Sequence, residues 1–186
     1  MLFRYCIRTC PQREDLAKEL YDKLRAHLPQ DVEIDIVNDT IGREPIRIFM
    51  QYLQKLLIQN PPFDYLVTLE DDAIFNDYLH QNLTSFDQLT SIEKVGCVQL
   101  SLASKFEITS PYTLYSHKDE CYFRTADLHY SCGLIFSKAL LQQLDISGWE
   151  SKGGWSFDVD LTKECHRLSF KHLIHFPALV ATKPQT

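Results

Sequence analysis

The stretch of sequence that decides the fold is Tyr65-Leu66-Val67-Thr68-Leu69-Glu70-Asp71-Asp72. Its first five residues are aromatic, aliphatic or β-branched, a composition that is typical of a strand buried on both faces. Three acidic residues then follow without a break. The stretch therefore predicts a buried strand whose carboxyl end carries a cluster of carboxylates.

Strands and helices alternate on the amino-terminal side of this stretch. Residues 2–7 and 32–37 have the short apolar or alternating pattern of strands. Apolar residues recur at helical spacing between and after them, namely Leu16, Leu20, Leu24 and Leu28, and then Ile46, Phe49, Met50, Leu53, Leu56 and Leu57. Thr9, followed by Pro11 and Gln12, predicts the cap of the first helix. The order predicts an α/β fold with a mixed, mainly parallel sheet and helices on both faces, which binds ligands beyond the carboxyl ends of its strands.

The carboxyl-terminal side has weaker patterns. We predict a helix at 77–86, a strand at 96–102, broken strands at 106–125, a strand at 130–136, a helix at 137–144 and a last strand at 175–180. Phe157, Leu161, Cys165 and Leu168 share one face of a final helix, which a flexible loop at 148–155 precedes. No internal repeat or interdomain linker divides the sequence, so we predict one domain over 1–186.

The composition is that of a globular protein: 186 residues, of which 45% are hydrophobic and 24% charged. The net charge of −6 and the lack of a basic block argue against a nucleic-acid partner. No apolar run approaches the ~18 residues of a membrane span, and the amino terminus lacks a signal-peptide core. We therefore expect no transmembrane segment and a soluble, cytoplasmic protein. Six cysteines without a CxxC pair argue against a structural zinc site.

The three acidic residues after the strand suit a divalent cation. On an extended backbone Glu70 and Asp72 share one face and Asp71 takes the other. A cation would relieve the repulsion between these carboxylates, and Mg²⁺ or Mn²⁺ prefers oxygen ligands with open positions for phosphate. Two other interpretations stay open, a solvated acidic turn and a helix N-terminus stabilised by negative charge.

Residues 63–73, Phe-Asp-Tyr-Leu-Val-Thr-Leu-Glu-Asp-Asp-Ala, resemble the donor-site segment of the GT-A-fold glycosyltransferases. The similarity is greatest to the lipopolysaccharide and collagen galactosyltransferase type, in which a strand ends in a DxD motif often written EDD. The resemblance implies a single-domain, Rossmann-type fold with Mn²⁺ or Mg²⁺ held against the diphosphate of a nucleotide sugar. It implies Asp72 as the principal metal ligand, Glu70 as a second, and Glu70 and Asp71 near the ribose and sugar.

Two further segments resemble the donor side of the same family. Arg8-Thr9-Cys10-Pro11-Gln12-Arg13 is similar to the loop that receives the nucleotide, so Arg8, Thr9 and Arg13 are expected to bind it. An arginine beside an exposed helix N-terminus also suits a phosphate on physical grounds. Asn38 and Asp39 end the second strand, where the family often places a contact to base or ribose.

The carboxyl-terminal segments resemble the acceptor side. Residues 153–161 are similar to the segment that carries the acceptor-side acid, with Phe157 where Glu is frequent, and this implies Asp158 as the general base of an inverting reaction. From the residues alone, Asp158 is equally a charge that stabilises a helix N-terminus. Residues 176–180 resemble the closing strand of the family, but the His that often follows is absent, which leaves His172 or His175 as candidates for the third metal ligand.

The resemblance implies a metal-dependent hexosyltransferase. Residues 1–102 would bind the nucleotide sugar, with UDP as the expected nucleotide, and residues 103–186 would bind a carbohydrate or glycan acceptor. Two alternatives stay open: a metal-dependent nuclease or phosphotransferase that uses the same acids, and an inactive nucleotide-sugar-binding module. The departure at Phe157 and the missing His support the second alternative. The motifs GxxxxGK[ST], GxGxxG, GxSxG and HExxH are absent, which argues against P-loop, dinucleotide, hydrolase-elbow and zincin chemistry.

Overall fold

The computed structural model describes residues 1–40, 45–85, 89, 92–101, 114–117, 121–125, 132–145, 157–176 and 178–183. Its strands are β1 (Phe3–Thr9), β2 (Ile34–Asn38), β3 (Tyr65–Glu70), β4 (Ala73–Phe75), β5 (Val95–Gln99), β6 (Leu114–His117), β7 (Cys121–Thr125), β8 (Gly133–Ser137), β9 (Lys171–Phe176) and β10 (Val180–Thr182). Its α-helices are α1 (Glu14–His27), α2 (Pro45–Gln59), α3 (Leu79–Thr84), α4 (Lys138–Leu141) and α5 (Phe157–Arg167), and a 3-10 turn at Pro11–Arg13 precedes α1.

Eight strands form one mixed sheet in the order β2-β1-β3-β8-β5-β9-β7-β6. The pairs β1–β2, β1–β3 and β5–β9 are parallel. The pairs of β8 with β3 and β5, and of β7 with β9 and β6, are antiparallel, so β8 and β7 run against the other six strands. A second, two-stranded sheet pairs β4 with β10. The prediction of a mixed sheet with a mainly parallel direction is thereby confirmed.

Helices cover both faces of the sheet, as predicted. Alternate side chains of β1 face opposite layers, because successive residues of a strand point to opposite sides. Tyr5 and Ile7 pack in one core with α1 and α3. Cys6 packs in the other core with Phe49 and Leu53 of α2. Both cores exclude water at the centre of the sheet, because Tyr5, Cys6 and Ile7 are fully buried.

Several boundaries differ from the predictions. Thr9 does not cap the first helix: it ends β1, and the residue that precedes the 3-10 turn is Cys10. The helix expected at 77–86 is shorter, and β4 precedes it because Ala73 and Phe75 turn inward to the core. The last strand expected at 175–180 is two strands, β9 and β10, with Pro177 between them in the sequence, and proline has no N–H for a sheet ladder. The loop expected at 148–155 lies outside the described residues.

No helix in the described ranges combines the length and the apolar character that crossing a membrane would require.

Candidate functional site

Three predicted donor-site segments meet at one edge of the sheet. Because β1, β2 and β3 are parallel, their carboxyl ends lie side by side, with Thr9 paired to Asn38 and Arg8 paired to Glu70. Backbone hydrogen bonds continue the pairing past the strands: the N–H of Asp39 donates to the Thr9 carbonyl at 2.8 Å. This edge is where ligands bind in open α/β sheets.

A cleft of about 300 Å³ opens at this edge. Arg8 and Arg13 line it together with the carboxylates of Asp39, Glu70 and Asp71. Its apolar walls are Val37 and Ile48. The cleft therefore offers positive groups, negative groups and apolar surface within a small volume, which suits a ligand with an aromatic ring, hydroxyls and phosphates.

The acidic turn, Glu70-Asp71-Asp72, is fixed from inside by its middle residue. The hydroxyl of Thr9 donates to Oδ2 of Asp71 at 2.7 Å, and the N–H of Asp71 donates to the Arg8 carbonyl at 3.1 Å. Asp71 is 2% exposed, and this burial raises the pKa of its carboxyl, against the lowering effect of the Thr9 hydroxyl and the Arg13 cation. Asp71 thus joins the turn to the end of β1.

Two arginines face the acidic turn. Arg13 lies 2.8 Å from Oδ1 of Asp71 and 2.8 Å from Oδ2 of Asp72, and Arg8 lies 3.1 Å from Oε1 of Glu70. The two guanidinium groups do not neutralise the three carboxylates of the turn, so the turn keeps an excess of negative charge. Arg13 is 39% exposed, which leaves its guanidinium accessible from the cleft.

The carboxylates of Glu70 and Asp72 converge, although the backbone leaves the strand after Glu70. A carboxylate oxygen from each lies within 4.8 Å of the other, and the sulfur of Cys132 lies within the same distance of both. Oδ1 of Asp72 is buried and has no hydrogen-bond partner. A buried acceptor without a donor is costly unless a cation or water meets it. The residues present therefore fit a divalent cation at Glu70 and Asp72.

The remaining predicted residues have other surroundings. The side-chain amide of Asn38 donates to Glu14 at 2.6 Å, so it faces the start of α1. His172 and His175 are buried on β9, and neither belongs to the ligand group that the described residues form, Glu70, Asp72 and Cys132. Asp158 is the second residue of α5, and its side chain lies outside the described residues.

The described contacts of α5 locate its carboxyl-terminal end. The chain passes from α5 to β9 through a short connection, in which the N–H of Lys171 donates to the Lys94 carbonyl beside the start of β5. The helix therefore ends near the amino edge of the parallel strands. Its residues Leu161 and Cys165 pack on the sheet, and its 11 residues span roughly 16 Å.

Sequence reasoning missed two features of the site. Cys132 approaches the acidic turn because β8 pairs antiparallel with β3, which sets Gly133 opposite Leu69. Ile48 reaches the cleft from α2. Strand register and helix docking are set by tertiary packing, and nothing in the local sequence specifies them.

Neither a protein-family model nor a curated protein sequence matches this chain. Solved structures do match its fold. One is A197 from STIV, with a TM-score of 0.59 and 12% identity over 100% of this chain and 87% of that chain. A second is a glycosyltransferase involved in the glycosylation of the major capsid of PBCV-1, with a TM-score of 0.59 and 12% identity over 100% of this chain and 95% of that chain. A third is S. aureus TarS 1-349 in complex with UDP-GlcNAc, with a TM-score of 0.57 and 13% identity over 100% of this chain.

The chain has a GT-A-like fold. It spans 60% of the TarS chain. At 12–13% identity these similarities concern the fold, and the residues of the site carry the functional argument.

Proposed function

We propose that this protein is a metal-dependent glycosyltransferase that moves a hexose from a nucleotide diphosphate sugar, with UDP as the nucleotide, to a hydroxyl of a glycan acceptor. The observation that carries the proposal is the meeting of Arg8, Arg13, Glu70 and Asp72 at the carboxyl edge of a GT-A-like sheet. The two arginines can bind a diphosphate, and the paired carboxylates can bind its divalent counter-ion. The two kinds of group together therefore fit a nucleotide diphosphate better than either would alone.

The nucleotide would occupy the cleft. Val37 and Ile48 provide apolar contact for the base, and Asp39 at the end of β2 can accept hydrogen bonds from ribose hydroxyls or the base. Arg13 is accessible from the cleft, and its guanidinium can donate to a phosphate oxygen beside its pairs with Asp71 and Asp72. These contacts would hold the sugar phosphate above the acidic turn.

The leaving group is a nucleoside diphosphate on which negative charge develops as the sugar departs. Arg8 and Arg13 are fixed beside the acidic turn and can stabilise that charge electrostatically. Glu70 and Asp72 would hold the cation, and Mn²⁺ or Mg²⁺ bound there would supply Lewis-acid stabilisation of the diphosphate. In an inverting reaction, Asp158 would accept the proton of the attacking acceptor hydroxyl.

Release of UDP from UDP-hexoses tests this function. The full chain is incubated with UDP-glucose, UDP-galactose or UDP-N-acetylglucosamine in Mn²⁺ or in EDTA, and free UDP is measured by chromatography. We expect UDP release in Mn²⁺ and little in EDTA, because water can replace the acceptor hydroxyl and hydrolyse the bound donor slowly.

The same experiment separates the alternatives. Metal-dependent cleavage of RNA or DNA without UDP release would indicate that the protein is a nuclease and not a glycosyltransferase. Binding of UDP-hexoses with no release, even when mono- and disaccharide acceptors are added, would indicate an inactive binding module.

A further inference from the structure

The segment before β8 brings a buried thiol to the acidic turn. Cys132 immediately precedes β8, and the backbone N–H of Glu70 donates to its carbonyl oxygen at 2.9 Å. Cys132 is fully buried. The sheet pairing therefore fixes the position of this residue relative to Glu70 independently of any side-chain contact.

Three potential ligand atoms lie close together. An oxygen of Glu70, an oxygen of Asp72 and Sγ of Cys132 all lie within 4.8 Å of one another. Metal–oxygen bonds of about 2.1 Å and metal–sulfur bonds of about 2.3 Å place the ligands of one ion roughly 3–4.5 Å apart. The set can therefore close on a single ion with small side-chain adjustments.

Two of these groups have unused capacity to bind. Oδ1 of Asp72 is buried without a hydrogen-bond partner. The thiol of Cys132 lies 3.8 Å from the carbonyl oxygen of Ala181, a long contact that a metal bond can replace. Arg13 pairs with Oδ2 of Asp72, the other oxygen, so the arginine does not occupy the unpartnered atom.

We propose that Cys132 is the third protein ligand of this cation, and that its sulfur makes the site prefer thiophilic divalent ions such as Co²⁺, Zn²⁺ and Cd²⁺ over Mg²⁺. The inference rests on the proposed function for the presence of a cation between Glu70 and Asp72. Binding of the ion would release the proton of the Cys132 thiol. The thiolate sulfur favours softer ions, whereas Mg²⁺ selects oxygen donors and keeps several waters. The site would therefore combine two hard donors with one soft donor.

Cobalt absorption tests the sulfur ligand directly. The full chain, kept reduced with a phosphine, is titrated with Co²⁺ while the near-ultraviolet sulfur-to-cobalt charge-transfer band is recorded, and Cd²⁺ and Mg²⁺ affinities are measured by calorimetry. We expect the band in the parent protein and tighter binding of Cd²⁺ than of Mg²⁺. Cys132→Ser should lose the band and bind Cd²⁺ at least ~10-fold more weakly. Even the loss of a residue that hydrogen-bonds to a metal ligand lowers metal affinity about 10–100-fold.

Cys10→Ser is the matched control. Cys10 also lies near the site, lining the cleft, but it is not in the ligand group. We expect Cys10→Ser to keep the band. Absence of the band in the parent protein, its retention in Cys132→Ser, or its loss in Cys10→Ser would each overturn the assignment. Cys132→Ala serves where the serine variant does not fold, and the spectrum of the parent protein needs neither variant.

The outcome is separable from that of the proposed function. UDP release that depends on Mn²⁺, together with no cobalt–sulfur band, would leave a glycosyltransferase with an all-oxygen metal site. If Cys132→Ser removes the band and the parent protein does not bind UDP, the metal site with a sulfur ligand is supported and the proposed glycosyltransferase function is wrong.

Discussion

Replacement of Asp72 by Asn is expected to weaken the binding of UDP in Mn²⁺ by at least ~10–100-fold. This range is observed even when a residue that hydrogen-bonds to a metal ligand is lost. The amide keeps the size of the side chain but removes the negative charge that the cation needs. Oδ1 of Asp72, buried without a partner, is the atom expected to face the ion. Calorimetric titration of UDP into the variant in Mn²⁺ measures the effect.

The fold should survive this change. Asp71 keeps its hydrogen bond from Thr9 and its pairing with Arg13, so the acidic turn stays anchored to β1. Asp77→Asn is the matched control, because Asp77 is an exposed carboxylate that faces Lys23 and His27 instead of the cleft. Parental affinity for Mn²⁺ and UDP in Asp72→Asn would mean that the last acid of the turn has no role in metal binding.

Replacement of Asp158 by Asn is expected to slow sugar transfer by ~10²–10⁴-fold, the usual effect of losing a general base. Asp158 is the second residue of α5, a helix that packs on the sheet through Leu161 and Cys165. The affinity for UDP should stay near the parental value, because the proposed role concerns the acceptor hydroxyl. Initial rates with saturating acceptor, measured beside UDP affinity, separate these two effects.

Asp160→Asn controls for the loss of a carboxylate from the same helix. Asp160 lies two positions further on, about 200° around the helix, and pairs with Lys163 at 3.4 Å. We expect it to have a small effect on transfer. A larger loss in Asp160→Asn than in Asp158→Asn would exchange the two roles, and parental rates in both variants would leave Asp158 as a charge at a helix end.

The sequence predicts the donor side of the molecule well, for a physical reason. Parallel strands end at one edge, so the order of strands and helices places the acidic turn where ligands bind. Arg8 and Asp39 are expected there from the resemblance to the GT-A-fold glycosyltransferases. In the structure Arg8, Asp39 and Glu70 line one cleft. The roles of these residues in binding remain predictions.

Features that depend on tertiary contacts were not predictable. Thr9 has the sequence of a helix cap, yet it ends β1 and its hydroxyl binds Asp71, which is 62 residues away. Cys132 meets the acidic turn only because β8 runs against β3 in one particular register. The pairing of Arg13 with two carboxylates likewise arises from the docking of the turn against β1. In each case the partner is distant in sequence, so a local pattern carries no information about it.

The melting temperature of the full chain with UDP, in Mn²⁺ or in EDTA, tests the central claim that metal and nucleotide bind together at the acidic turn. A ligand at 100 times its Kd stabilises the native state by about 2.7 kcal/mol. For a chain of this size that corresponds to a rise of roughly 5–11 °C. We predict such a rise with UDP and Mn²⁺ and a much smaller one with UDP and EDTA. Equal rises in the two buffers, or none in either, would contradict the account.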